Sequence, residues 1–141
     1  MEAMAASESV RYPSDCETCG AAAECDAGEG LVNGEVRWDI AKSCAACGMY
    51  VIACGRSDVP GDLRERLLSE HGPTRLRLCD PSSSAVVLMR VIRAELGLDL
   101  IQAKAMAQRV RAGSQTGTLT EMAFLAHRLR QAGVQATTER P

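Results

Sequence analysis

Aromatic side chains are nearly missing from this sequence. Tyr12, Trp38, Tyr50 and Phe124 are the whole set in 141 residues. Any core must therefore be built from aliphatic groups, with other help wherever those run thin. Histidine occurs only twice, as His71 and His127, and neither stands at helical spacing from a carboxylate. No Gly-rich phosphate loop and no Gly-x-Ser-x-Gly elbow is present. These absences point away from an enzyme. Lysine is also scarce, at 2 against 14 arginines. No stretch reaches the roughly 18 apolar residues that a membrane span needs. The start, "MEAMAASESVRYPSD", has an acid at position 2 and no apolar segment of the kind a signal peptide carries. The expectation is a cytoplasmic protein with reduced thiols, in which paired cysteines mean metal or redox chemistry.

Charge is present but unevenly placed. Residues 1–73 carry 6 Lys and Arg against 13 Asp and Glu, for −7, and residues 74–141 carry 10 against 5, for +5. The asymmetry implies two modules, with different partners or with affinity for each other. A phosphate backbone would be repelled by the acidic half, so nucleic acid is disfavoured as a partner.

Residues 1–13 show no periodicity and read as a flexible tail. Residues 14–56 are rich in Cys and Gly. "GEVRWDIAKSC" alternates Val36, Trp38 and Ile40 with Glu35, Arg37 and Asp39, the period of a half-buried strand. "GMYVIACG" is a second strand candidate and "GAAAEC" a weaker third, with Asn33-Gly34 as a hairpin turn. Residues 57–73 read as a helical connector, with Leu63, Leu67 and Leu68 on one face. From Thr74 the order is β-α-α-(β)-α-β. "TRLRL" points Leu76 and Leu78 inward, and helices follow over 84–96, 100–110 and 119–132. Asp99 with Gln102, and Thr118 with Glu121, form capping boxes. The fold class is α+β: a small β ribbon, then a two-layer sandwich over 74–141.

Two stretches share one form, "CETCG" from Cys16 and "CAACG" from Cys44. Two thiolates at this spacing fit one tight turn, and the glycine after them supplies the left-handed backbone that the turn needs. Two such knuckles with strands between them resemble a zinc ribbon. One structural Zn2+ held by Cys16, Cys19, Cys44 and Cys47 is expected, with redox dithiols or an iron–sulfur site as the alternatives. Four thiolates leave no position open for water, which argues for structure rather than catalysis. Cys25 and Cys54 are expected as small buried residues on the strands leaving the knuckles, and Cys79 as inert.

The second half carries a more specific likeness. "AVVLMRVIRAELGLDLIQAKAMA" and "TGTLTEMAFLAHRLRQAGVQATTE" resemble the C-terminal domain of the bacterial ribosomal stalk protein, the large-subunit seven/twelve protein. The features that carry it are Arg93, Gly97, Leu98, Leu100, Ala103, Lys104, Ala132 and Gly133. The resemblance implies three helices on a three-stranded antiparallel sheet, a fold similar also to a protease adaptor that delivers substrates to an ATPase. It further implies that translational GTPases are recruited through the first two helices, on a surface that falls here on Val86, Met89, Arg90, Arg93 and Lys104. Helical spacing agrees: if Leu88, Val91, Ile92 and Leu96 face the core, Val86, Met89, Arg90 and Arg93 lie opposite. The sequence departs from the stalk at Ala85, where a basic residue is expected. The stalk's dimerisation domain and hinge are replaced by the ribbon. The chain is therefore expected to be a non-enzymatic zinc-binding adaptor whose acidic protein partner is a translational GTPase or another NTPase. An immunity protein that neutralises a toxin by direct binding is the alternative, and a transcription regulator the third reading.

Overall fold

The computed structural model describes residues 4–140, which divide into two units, through His71 and from Gly72 onward. No helix among them is long and apolar enough to cross a membrane.

The first unit is an antiparallel meander of four strands, in the order β1-β2-β3-β4. They span Met4–Asp15, Ala22–Val32, Glu35–Ser43 and Tyr50–Arg56. Asn33 and Gly34 take φ of 52° and 78° between β2 and β3, the left-handed pair that a two-residue hairpin demands. The expected flexible tail over 1–13 is corrected here. Residues 4–13 belong to β1, paired with β2 from Met4↔Val32 to Asp15↔Ala22, while residues 1–3 lie outside the described residues. Among residues 6–15, only Val10 and Tyr12 bring sizeable apolar groups inward from this strand. Backbone pairing rather than side-chain period defines it, and Pro13 is tolerated because the strand lies at an edge.

The helical connector is corrected as well. Helix α1, Gly61–His71, belongs to the first unit. Its buried Leu63 and Leu67 close on Val10 and Ala27, with Tyr12, Trp38, Ile40 and Val59 around them. The Arg66 guanidinium lies 3.8 Å from the Tyr12 ring centre, and His71 Nε2 is 2.8 Å from the Ser9 carbonyl oxygen. A helix with one leucine face needs an apolar surface, and the inward face of this sheet supplies it.

The second unit follows the expected order. Strand β5 (Thr74–Leu78) lies between β6 (Thr116–Gly117) and β7 (Ala136–Glu139), all antiparallel. Helices α2 (Ala85–Leu96), α3 (Leu100–Ala112) and α4 (Leu119–Gln131) supply most of a core that includes Leu76, Leu88, Ile92, Val110, Leu125 and Leu129. Both expected capping boxes are present. The Gln102 N–H donates to Asp99 Oδ1 at 2.7 Å, and the Glu121 N–H to Thr118 Oγ1 at 3.2 Å. Gly97 closes α2 in the left-handed conformation, its N–H donating to the Arg93 carbonyl.

Candidate metal centre and helix face

The meander decides where the cysteines go. Its first and third connections lie at the same end of the sheet, and each is one Cys-x-x-Cys-Gly turn. Pairing of β2 with β3 in the register Glu24↔Ser43 then sets the two turns side by side. Each turn has the same internal frame. The Gly20 N–H donates to the Cys16 carbonyl and the Gly48 N–H to the Cys44 carbonyl, both at 2.8 Å. The Cys16 and Cys44 N–H groups donate to Ala21 and Met49 at 2.8 and 2.9 Å. Gly20 and Gly48 sit at φ of 74° and 76°, where a side chain would strain the backbone.

The four sulfurs of Cys16, Cys19, Cys44 and Cys47 all lie within 4.8 Å of one another. Cys16 Sγ is 3.7 Å from Cys47 Sγ, and Cys19 Sγ is 3.6 Å from Cys44 Sγ. A disulfide would need about 2.05 Å. A tetrahedral ion bound to sulfur at about 2.3 Å needs sulfurs about 3.8 Å apart, so the donor set fits such an ion. Cys16 and Cys44 are buried and Cys19 and Cys47 exposed, so the cluster has a closed inner side and an open outer one.

Electrostatics within the cluster are uneven. The Cys19 N–H donates toward Cys16 and, against desolvation, draws its thiol down to about 6, helped by Thr18 N–H and the sulfurs of Cys47 and Cys44. At Cys47 the Met49 N–H acts in the lowering direction. Desolvation and the three neighbouring sulfurs prevail and push that thiol up to about 12. Crowded thiols hold protons that a cation would replace.

Lys42 was not among the expected site residues. It reaches from β3 to Glu17 inside the first turn, Nζ to Oε1 at 3.1 Å, with its side chain only 12% exposed. Its pKa is raised, first by the hydrogen bond to Glu17 and in smaller part by the field of Cys25 and Cys16. Its charge is met by Glu17 and also lies in the field of the nearby sulfurs. The sequence signal was a lysine two residues before a knuckle. Cys25 is buried as expected. Cys54 is not: it is exposed on β4, because no further strand covers that edge among the described residues.

Comparison with family models, curated proteins and solved structures finds no match for this chain. The site is therefore argued from its own geometry.

On α2 and α3, the residues expected to form a partner surface are placed as follows. At about 100° per residue, Val86, Arg90 and Arg93 fall within about 60° of one another, opposite Leu88. All three are exposed, Val86 to 65%. Lys104 is exposed on α3. Met89 lies about 100° from Leu88, on the flank, and is half-buried against the core. Leu96 corrects an expectation: it is 41% exposed rather than buried. With Leu100 and Ile101, 57% and 81% exposed, it forms an apolar corner at the α2–α3 turn that sequence reasoning missed. Phe124 is half-buried beneath the Arg128 guanidinium, 5.2 Å from its ring centre, and Arg128 pairs with Glu95 at 3.5 Å.

Proposed function

We propose that this chain is a non-enzymatic zinc-binding adaptor. Its first unit holds one structural Zn2+ through Cys16, Cys19, Cys44 and Cys47. Its second unit, which resembles the ribosomal stalk C-terminal domain, captures an acidic protein partner on the face of Val86, Met89, Arg90, Arg93 and Lys104. A translational GTPase is the partner that the resemblance implies. The metal supplies the cross-link that the small apolar cluster at the knuckles does not: there Cys16, Ala23 and Cys44 are joined only by Ala21 and Met49. With four thiolates around the ion, no position remains for a substrate or an activated water, and the role is structural.

The observation that carries the binding half is an exposed valine on the same face as two exposed arginines, on a helix that buries Leu88, Val91 and Ile92 on its other side. Such a site draws a partner by charge and holds it by apolar contact. The test is titration of a purified translational GTPase with the full chain and with the variant Arg90→Glu/Arg93→Glu. Binding that weakens with salt and disappears in the variant, at unchanged zinc content, supports the adaptor. Binding unaffected by charge reversal refutes this surface.

A further inference from the structure

The first sheet ends in an edge unlike its other one. Strand β4 pairs with β3 alone among the described residues, through seven consecutive residues from Arg37↔Arg56 to Ser43↔Tyr50, with no register shift. From Tyr50 to Gly55 it has no proline and no charge. Tyr50, Val51 and Ile52 are 63%, 49% and 60% exposed. Edge strands are normally protected by proline, charge or a bulge, because their free N–H and C=O groups recruit another strand. Edge strand β1 has all three: Pro13, the charges of Glu8 and Arg11, and a register shift between Met4 and Ala6. Strand β4 has no proline and no register shift, and its one charge, Arg56, stands at its end, 3.5 Å from Glu35.

We propose that β4 is a self-association edge, where two copies of this chain pair their β4 strands antiparallel about a two-fold axis at Ala53. The sequence is self-complementary in that register. Val51 faces Gly55 of the second copy, Ile52 faces Cys54, and Tyr50 faces Arg56, so large stands against small and a ring against a cation. Gly55 is the position where this matters most. A Cβ there would come within 2.8 Å of the Trp38 indole, which lies across the glycine on the α1 side of the sheet. Val51 alternates onto that same side. Val51 of the second copy therefore meets the indole where Gly55 offers no side chain of its own. The strand is free of acidic residues, so like-strand pairing brings no carboxylates together. Seven residues from each copy, at the roughly 30–40 Å2 per residue of ordinary interfaces, bury on the order of 500 Å2, so the pairing rests on main-chain hydrogen bonds and is a weak, reversible one. The product is one eight-stranded sheet with a knuckle pair at each outer flank of the seam and one zinc-ligating unit per copy.

The experiment is sedimentation of the zinc-loaded full chain over a roughly 100-fold concentration series, read in parallel by emission of Trp38, the only tryptophan. A reversible monomer–dimer equilibrium with a concentration-dependent emission shift is expected. Ala53→Asp should weaken it by at least about 100-fold, because two carboxylates then face each other at the axis. Ala53→Lys should do the same. An equimolar mixture of the two variants should dimerise again, which chains that fail to fold could not do. A wild-type chain that stays monomeric at the top of the series overturns the proposal. So does a dimer indifferent to Ala53→Asp, and so does a mixture that stays monomeric.

Discussion

Replacing Cys44 by serine tests the metal centre where its geometry is tightest. Cys44 is 3% exposed and its sulfur is 3.6 Å from that of Cys19. The substitution removes one of four thiolates and leaves a hydroxyl on the closed side of the cluster. Without an ion, this end of the sheet has four turn hydrogen bonds, worth about 0.5–1.5 kcal/mol each, and a very small apolar cluster. Together they stabilise it by roughly 2–6 kcal/mol, whereas a structural zinc contributes about 10–16 kcal/mol. A zinc ion there would outweigh these turn contacts, and losing a ligand should release both the ion and the local fold. Elemental analysis should fall from one zinc per chain to far below one, and protease should cut within residues 16–21 and 44–49. Cys47→Ser, at an exposed ligand, should retain more metal than Cys44→Ser, because its hydroxyl stays in water. A Cys44→Ser protein that keeps a full equivalent of zinc and resists protease would refute the reasoning. Iron in place of zinc in the wild type would refute the choice of ion.

The remaining expectations follow from particular contacts. Gly55→Val should destabilise the first unit by about 1–3 kcal/mol in urea unfolding, because the new side chain displaces the Trp38 indole. Asp99→Ala should cost the second unit about 1 kcal/mol by removing a capping-box acceptor, and retention of wild-type stability would show that the box is idle. A fragment of residues 72–141 should unfold cooperatively by circular dichroism, since its core cluster is drawn from its own residues; a broad, non-cooperative melt would count against the unit boundary. Acid should loosen the metal. Protons compete with the ion for all four sulfurs, so zinc retention measured against a chelator should fall as pH is lowered, and in the metal-free chain the lowered Cys16 thiol favours the thiolate, a contribution present above its ordinary value and lost as pH falls through about 6.

What could be read from the sequence was whatever local chemistry decides. The two Cys-x-x-Cys-Gly turns, both capping boxes and the left-handed Gly97 are each set by residues within five positions of one another, and each is present. Leu76 and Leu78 alternate inward on β5 as their spacing requires. Tertiary context decided the rest. Strand β1 exists because β2 offers it a full row of partners, a fact absent from its own weak pattern. Leu96 fails as a core residue for a geometric reason. Eight residues at about 100° each place it about 80° from Leu88, and the buried arc is already taken by Val91 and Ile92. The same arithmetic sets Met89 on the flank. Lys42 and Glu17 are 25 residues apart and meet only because the meander folds them together.

The scarcity of aromatic residues links these findings. In the first unit, Tyr12 and Trp38 are the large side chains on the α1 side of the sheet, and both are committed to the half where α1 packs. At the knuckle end Tyr50 is exposed, and the buried apolar surface is two cysteines and an alanine. A short sheet with so little to bury at one end needs a covalent-strength tie there. The four clustered sulfurs would supply it, through the proposed ion, at the end that the β2–β3 hairpin does not close. The second unit has a larger apolar core of its own. Three capped helices bury Leu, Ile, Val and Ala on a three-stranded sheet, leaving exposed arginines and Val86 on an outer face. The residues that build this core and the residues of the proposed recognition face are therefore different ones. Charge reversal at Arg90 and Arg93 can probe recognition without touching the core, just as substitution of a knuckle cysteine can probe the metal without touching that helix.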